Sequence, residues 1–378
     1  MPFPPEFDLV AACCRWPPSP ERESAVLEAA AAAIDWPFLL RIAERHRVQG
    51  LVHDGLSKAG LAPPAETARA LAAAAADIAR ENLAFAAEAH RLRRLSREAG
   101  VDFLFVKGVT LNMLAYGTLA LKRAIDIDIA VSPGEERRAF SLIRSAGYTC
   151  LEPGPEAADE EIVAWTARHK HSAWRRGRLM VELHASLVDS PHLLQGVSLS
   201  SPRQEVPVTG GLTLPTLASD ELFAYLCVHG ATHAWARLKW LADVNALVGR
   251  RGGDALERLY RRSVELGAGR APGQALLLCR ELFDLALPGP LGRELQSDRG
   301  TRHLVKAALD TMVRGGADVE LDAQVMGTAA IHVSHLRLRR GLRFKLSEVA
   351  RKLASVGGGP LLALPRWLMR RARRARGR

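Results

Sequence analysis

Residues Phe103 to Val131 read FLFVKGVTLNMLAYGTLALKRAIDIDIAV, and the end of this stretch decides the fold. Its last seven residues alternate apolar and acidic side chains before turning fully apolar, which predicts a β-strand. Asp126 and Asp128 would then share one face and stand about 6.6 Å apart along the strand. Carboxylates this close repel unless a proton or cation lies between them, and Mg²⁺ prefers one or two carboxylates plus phosphate oxygens. The stretch therefore predicts a divalent-metal site, and the apolar positions expected on the opposite, core-facing side are Ile125, Ile127 and Ile129.

A glycine turn lies upstream of this strand. Residues 102–106 predict a short apolar strand, and residues 109–116 predict a helix that ends at Gly117. A strand, a glycine turn and a helix form a phosphate-binding layout, because the N–H groups at a helix N-terminus favour anions and Gly108 permits close approach. Two cations flank the turn, and each has an alternative: Lys107 could simply extend its charge to solvent, and Arg123 could pair with an acid. The candidate nucleotide-binding residues are Lys107, Gly108 and Arg123.

The order of glycine turn, helix and Asp-x-Asp strand resembles the nucleotidyltransferase superfamily of the DNA polymerase β type. Within it, the chain is similar to a bacterial nucleotidyltransferase family with a leading helical region, over roughly residues 35–250. The superfamily's usual Gly-Ser is Gly108-Val109 here. Four motifs carry the resemblance: Trp36…His46-Arg47-Val48, Lys107-Gly108…Tyr116-Gly117…Arg123…Asp126-Ile127-Asp128, Val181-Glu182-Leu183-His184, and His229-Gly230…His233…Trp235…Leu238-Lys239-Trp240-Leu241…Asp243.

The resemblance implies a third carboxylate from a neighbouring strand, and Glu182 is the candidate. It lies within residues 179–184, which with residues 171–175 predict a hairpin. The implied catalytic and metal-binding set is Asp126, Asp128 and Glu182. The implied reaction is Mg²⁺- or Mn²⁺-dependent transfer of a nucleoside monophosphate from a nucleoside triphosphate to an unidentified acceptor, with release of pyrophosphate. Two alternatives stay open: the aspartates could form a solvated strand face, and Glu182 could be a salt-bridged sheet residue.

A helical segment follows and supplies further candidates for a substrate pocket. His229 and His233 stand four residues apart, which is a zinc-like spacing, but the sequence HGATH lacks the glutamate base of a metalloprotease. Packing or substrate contact is the favoured interpretation, and a zinc hydrolase is the third choice of function. The pocket candidates are His184, His229, His233, Lys239 and Asp243.

The pattern of elements predicts an α+β fold: a small mixed-sheet nucleotidyltransferase core flanked by N-terminal helices and a C-terminal helical domain. The predicted boundaries are 1–100 for the N-terminal helices, 101–215 for the α/β core, 216–350 for the helical domain and 351–378 for a basic tail. Local signals predict further details. These are an alanine-rich helix at 24–34, an Asp35-capped helix at 36–47, a helix at 66–99 with a buried stripe that includes Leu83, a capping box at 132–135, a loop at 152–161, a helix capped by Thr216 or Ser219, and a helix holding Trp235.

Composition and charge limit the partners. The net charge is +11, but seven of these charges come from arginines in residues 366–378, so the rest of the chain is only mildly basic. Those arginines, with Leu361, Leu362, Trp367 and Leu368, could contact anionic lipid or RNA, or form a solvated end. The five cysteines show no metal spacing or paired framework, and the N-terminus lacks a signal-peptide pattern. We therefore expect a cytoplasmic protein, with peripheral membrane contact through the tail as an alternative.

Two other functions fit the same residues. One is a nucleotidyltransferase that modifies a protein or peptide, in a toxin-like or biosynthetic role. The other is a catalytically silent nucleotide-binding scaffold, which the missing serine after Gly108 favours weakly and the retained acidic residues disfavour.

Overall fold

The computed structural model describes residues 3–249, 251–314 and 333–355. Helices lead the chain and end in a 34-residue helix whose C-terminus is closed by Gly100 in the left-handed conformation, φ +62°. Asp35 caps the third helix as predicted, because its carboxylate accepts the Phe38 N–H at 2.9 Å. The helices are α1 (Pro5–Cys13), α2 (Pro20–Ala29), α3 (Trp36–Arg45), α4 (Gln49–Lys58) and α5 (Ala65–Glu98).

The central part of the chain forms a five-stranded mixed sheet. Its strand order is β1-β2-β5-β4-β3, with β2 and β5 parallel and the other neighbours antiparallel. A separate two-stranded hairpin follows. The elements are β1 (Phe103–Phe105), α6 (Val109–Tyr116), β2 (Ile127–Val131), α7 (Glu136–Ser145), β3 (Thr149–Glu152), α8 (Asp159–His169), β4 (His171–Arg176), β5 (Leu179–His184), β6 (Arg203–Thr209) and β7 (Leu212–Leu217).

Helices again follow the sheets, so the α+β class is confirmed: a mixed sheet lies between helical regions. The described part of the C-terminal region contains α9 (Ser219–Thr232), α10 (Leu238–Val248), α11 (Gly253–Glu265), α12 (Ala271–Phe283), α13 (Gly289–Ser297), α14 (Arg299–Arg314) and α15 (Leu342–Ser355). Residues 356–378 lie outside the described residues, and so does almost all of the predicted basic tail. Within the described ranges, none of the helices combines the length and the apolar character needed to cross a membrane.

The alternation of β2 sends its side chains into two different cores. Ile127, Ile129 and Val131 pack with α5 and α7 on one face of the sheet. Ala130 faces the other way, into a core formed jointly by the N-terminal and C-terminal helices. Asp128 lies two residues before Ala130, so its side chain is on the same face of the strand and points toward those helices. It is buried there, with 2% of its surface exposed. The strand thus has two buried faces, and the acidic face is not the solvated outer face considered as an alternative.

The acidic strand is shorter than predicted. It begins at Ile127, and Ile125 is 41% exposed instead of sharing the core face. Alternation in sequence extended past the point where hydrogen bonding with β1 and β5 stops. Asp126 therefore lies just before the N-terminal end of β2, and Asp128 lies within the strand.

Several local predictions are wrong in their ends. The capping box at residues 132–135 does not form, because a turn through Gly134 (φ +90°) moves the start of α7 to Glu136. The predicted loop at 152–161 includes the first turn of α8, where the Glu161 carboxylate accepts the Ala158 N–H. The alanine-rich helix is α2, which starts at a Ser19 cap and ends at Ala29.

Three further local predictions differ from the structure. Leu83 of α5 is 53% exposed, while its neighbour Asn82 is fully buried in polar contacts described below. Trp235 precedes α10 instead of lying in it: Ala234 and Trp235 adopt positive φ, and the Trp235 ring covers Gly230 so closely that a Cβ there would lie 2.3 Å from it. The cap of α9 is Ala218, with no side-chain hydrogen bond, and not Thr216 or Ser219.

Candidate active site

The site begins at the turn after β1. Gly108 adopts φ +68° and ψ −126°, and a Cβ at this position would lie 3.3 Å from the Asp126 carbonyl oxygen. This backbone conformation is essentially restricted to glycine. The preceding Val106 N–H donates to the Asp128 carbonyl at 3.1 Å. Lys107 therefore leaves the end of β1 directly beside the acidic strand.

Lys107 and Asp128 form a buried ion pair. The lysine Nζ lies 2.9 Å from Asp128 Oδ1, and the two side chains are 18% and 1% exposed. Burial alone would raise the pKa of Asp128, but the Lys107 ammonium and the His184 imidazole together outweigh burial and hold that pKa far below its usual range. Burial likewise opposes the charge on Lys107, yet Asp128 raises the lysine's pKa well above its ordinary value. Both groups are therefore charged at neutral pH.

The parallel pairing of β2 and β5 places Glu182 beside Asp128. These two residues are register partners, so their side chains leave the sheet on the same face. His184 joins them: its Nε2 lies 3.0 Å from Asp128 Oδ1 and 3.3 Å from Glu182 Oε2. Because the same nitrogen contacts Asp128 Oδ1 and Glu182 Oε2, these two oxygen atoms are no farther apart than the sum of the two distances. The predicted hairpin of β4 and β5 thus brings Glu182 into the acidic group.

His184 differs from its predicted role as a pocket residue. It is 1% exposed and lies beneath the carboxylates, where it bridges them. Burial opposes a charge on His184, but its hydrogen bonds to Asp128 and Glu182 raise its pKa. Burial would raise the pKa of Glu182, but the His184 contact lowers it. The imidazole therefore fixes two of the three carboxylates relative to each other.

Asp126 differs from the other two carboxylates because its side chain has neither a hydrogen-bond nor an ion-pair partner among the described residues. Within the described ranges, no hydrogen-bond donor or cation lies at bonding distance from its carboxylate. Burial and the neighbouring Asp128 raise the pKa of Asp126 to about 7. The ionised form of Asp126 is thus only about as stable as the protonated form near neutral pH, and a bound cation would favour the ionised form.

A second donor set adjoins the first. Ligand atoms of His171, Glu182 and His184 lie within 4.8 Å of one another, a spacing compatible with a single metal ion. Burial lowers the pKa of His171 to about 4, so its ring is neutral. His171 was not predicted as a site residue from sequence. Its position on β4, the strand that pairs with β5 and therefore with Glu182 and His184, is a signal that could have identified it.

Two buried asparagines hold the segment that leads into the acidic strand. The Asn82 amide of α5 donates to the carbonyls of Leu119 and Lys122, and its oxygen accepts the Ala124 N–H at 2.8 Å. Asn112 of α6 donates to the Lys122 carbonyl at 2.8 Å. The segment before Asp126 is therefore anchored to two helices.

Two cations in this segment are already paired. Arg123, predicted to bind nucleotide, forms an ion pair with Glu81 of α5. Lys122 pairs with Asp243 of α10, and Tyr116 donates to the other oxygen of Asp243 at 3.0 Å. Asp243, predicted as a pocket residue, does line the cleft, but both of its carboxylate oxygens hold protein groups. The segment before the acidic strand is therefore joined to α5 through Glu81 and to α10 through Asp243.

The wall opposite the sheet comes from α9 and α10. His229 and the exposed His233 have ring centroids 4.7 Å apart, and the His233 ring stacks on Trp240 at 4.9 Å. Burial lowers the pKa of His229 well below its ordinary value. Lys239 lies alongside and is 8% exposed. The two histidines therefore form part of an aromatic wall.

A cleft of about 230 Å³ lies between these walls. It brings together ten of the eleven residues predicted from sequence, all except His184. Three cations that were not predicted as site residues also line it: Arg47, Lys122 and Lys170. His46, the neighbour of Arg47 in the first of the four motifs, is buried and accepts the Leu238 N–H at 3.0 Å. No local sequence signal marks Lys122 or Lys170.

The donor groups fit a divalent cation. Asp126, Asp128 and Glu182 supply carboxylate oxygens, the ligands that Mg²⁺ and Mn²⁺ prefer. Burial, together with the charges of Asp128 and Glu182, raises the pKa of Asp126, so a cation bound beside these groups would be favoured.

The cleft thus combines an acidic strand, a third carboxylate on the adjacent parallel strand and several cations, which are groups that can bind a divalent cation and phosphate. The sequence matches the family model described as uncharacterised nucleotidyltransferase over residues 32–284. The chain therefore belongs to this nucleotidyltransferase family, and the predicted family is confirmed. No curated protein matches the sequence.

Proposed function

We propose that this nucleotidyltransferase moves a nucleoside monophosphate from a nucleoside triphosphate to an acceptor, with release of pyrophosphate and dependence on Mg²⁺ or Mn²⁺. One observation carries the proposal: Asp128 and Glu182 are held together by His184 at the cleft, and the unsatisfied carboxylate of Asp126 lies at the mouth of the same strand. An acceptor hydroxyl or phosphate would attack the α-phosphate. The free cysteines favour a reducing, cytoplasmic setting for the reaction.

Asp126, Asp128 and Glu182 would hold the divalent cation. When bound, this ion neutralises phosphate charge and favours an in-line displacement. Asp128 is kept ionised by Lys107, and Glu182 is kept ionised by His184. Both are therefore ready to bind metal without first losing a proton.

Other residues would position the substrates. Phosphoryl transfer depends mainly on positioning and on neutralising charge. The cleft supplies Lys107 beside the carboxylates and further cations on the facing wall. His229 stays uncharged and lies beside the rings of Tyr225, His233 and Trp240, which suits contact with a base or an acceptor ring.

A product analysis tests the proposal. The protein is incubated with each of the four nucleoside triphosphates, Mg²⁺ and a cell extract, and mass spectrometry searches for adducts of one nucleotide. We expect an adduct on a small molecule, peptide or RNA together with pyrophosphate, and neither with Glu182→Gln. Mg²⁺–nucleotide binding without any product would instead favour the silent scaffold.

A further inference from the structure

Lys239 is a buried cation without a counter-ion. It is 8% exposed and lines the cleft, and among the described residues its ammonium group has no hydrogen-bond or ion-pair partner. Its Nζ lies 5.6 Å from the centroid of the Trp240 ring. Burial of an ammonium group without a partner is costly. An anion that bound to this ammonium group in the cleft would supply the missing counter-ion.

The acid that could neutralise Lys239 is occupied. Asp243 lies one helical turn further along α10, at the spacing that favours an ion pair. However, Asp243 Oδ2 holds Lys122 and its Oδ1 accepts the Tyr116 hydroxyl. Burial, with Lys122 and Arg47 nearby, lowers the pKa of Lys239 to about 7. Asp243 and Asp126 act in the opposite direction on this pKa, but they only partly offset burial and the two cations, so an added anion would stabilise the charged form of Lys239.

The fold brings a second cation to the same place. Arg47 adopts φ +55° directly after α3 and lines the cleft. Its neighbour His46 accepts the N–H of Leu238, the first residue of α10, at 3.0 Å. This hydrogen bond joins the residues that precede Arg47 and Lys239 in sequence. The N-terminus of α10, which carries a partial positive charge, lies at the same point.

We propose that Lys239 and Arg47 form a phosphate-binding subsite of the cleft, separate from the carboxylates. The phosphate belongs either to the tail of the nucleoside triphosphate or to a phosphorylated acceptor. The inference deepens the proposed function and rests on it for the identity of the substrates. The subsite itself depends only on the charges and burial described above.

Binding of inorganic phosphate to the full chain in the presence of a chelator tests the subsite. Isothermal titration is compared for wild type, Lys239→Met, Lys239→Arg and Lys345→Met. Lys345 is an exposed lysine of α15 and serves as the matched control. We expect Lys239→Met to weaken phosphate binding at least about tenfold, which corresponds to roughly 1.4 kcal/mol. Lys239→Arg should retain most of the binding, and Lys345→Met should bind as wild type does.

A second titration, with a nucleoside triphosphate and Mg²⁺, identifies the source of the phosphate. Weaker nucleotide binding by Lys239→Met assigns the subsite to the triphosphate tail, and unchanged nucleotide binding assigns it to the acceptor. Absence of phosphate binding by wild type, or equal binding by wild type and Lys239→Met, would overturn the subsite. Because the first titration contains neither metal nor nucleotide, its outcome is independent of whether nucleotidyl transfer occurs.

Discussion

Lys107 Nζ lies 2.9 Å from Asp128 Oδ1, and this ion pair is the closest link between the glycine turn and the acidic strand. The pair gives the folded protein a cation next to Asp128, one of the predicted metal ligands.

Replacing Lys107 by Met should leave Asp128 as a buried charge held only by His184. We expect the free energy of unfolding in metal-free buffer to fall by about 3–5 kcal/mol, the usual cost of breaking a buried pair. Urea unfolding measures this change. The double variant Lys107→Met/Asp128→Asn should recover most of the loss, because it removes both charges. A Lys107→Met protein as stable as wild type would show that the pair contributes nothing.

Asp126 should make the metal-free protein less stable as pH rises. Its folded pKa of about 7 lies above the ordinary aspartate value, so between about pH 4 and pH 7 the folded state binds more protons than the unfolded state. The destabilisation by Asp126 therefore grows through this window and is complete above it. Asp126→Asn should unfold at higher temperature than wild type at pH 8, and the difference should shrink toward pH 5.

Thermal unfolding in chelator at both pH values tests this dependence. The control is Glu156→Gln, an exposed loop carboxylate, which should follow wild type at each pH. An Asp126→Asn protein that melts below wild type at pH 8 would mean that Asp126 is satisfied in the folded state.

Asn82 should support the site from a distance. Its side chain makes three hydrogen bonds to the segment that precedes Asp126, and it is fully buried. Asn82→Ala should lower the free energy of unfolding by roughly 1–3 kcal/mol or more, since buried carbonyls and an N–H lose their partners. It should also weaken Mg²⁺–nucleotide binding. Asp77→Ala, on the exposed side of the same helix, should change stability by less than about 0.5 kcal/mol. Wild-type stability of Asn82→Ala would remove the anchoring role.

The sequence was most informative where the signal is local. Alternation around Asp128 predicted the strand, and the Lys107-Gly108 turn and the hairpin containing Glu182 followed from neighbouring residues. The resemblance then supplied their association, and the structure places these residues together at one cleft. The metal-binding roles of Asp126, Asp128 and Glu182 stay predictions.

Contacts between distant residues could not be predicted. His184 contacts Asp128, which is 56 residues away in sequence, and the His46–Leu238 hydrogen bond spans 192 residues. No pattern of composition or periodicity encodes such pairings, because they depend on how helices pack around the sheet. A local pattern can also mislead. The alternation of apolar and acidic residues includes Ile125, but β2 begins only at Ile127 and Ile125 is exposed.

The most direct test of the account is pyrophosphate release by Asp126→Asn compared with wild type. This carboxylate has no hydrogen-bond or ion-pair partner among the described residues, so its replacement removes a proposed metal ligand without breaking a protein contact. We expect turnover with the preferred nucleoside triphosphate and Mg²⁺ to fall at least about a hundredfold, since each 1.36 kcal/mol of lost transition-state stabilisation is tenfold in rate. Thermal stabilisation of the protein by Mg²⁺ and nucleotide together should fall as well. Wild-type turnover by Asp126→Asn would contradict the proposed metal site.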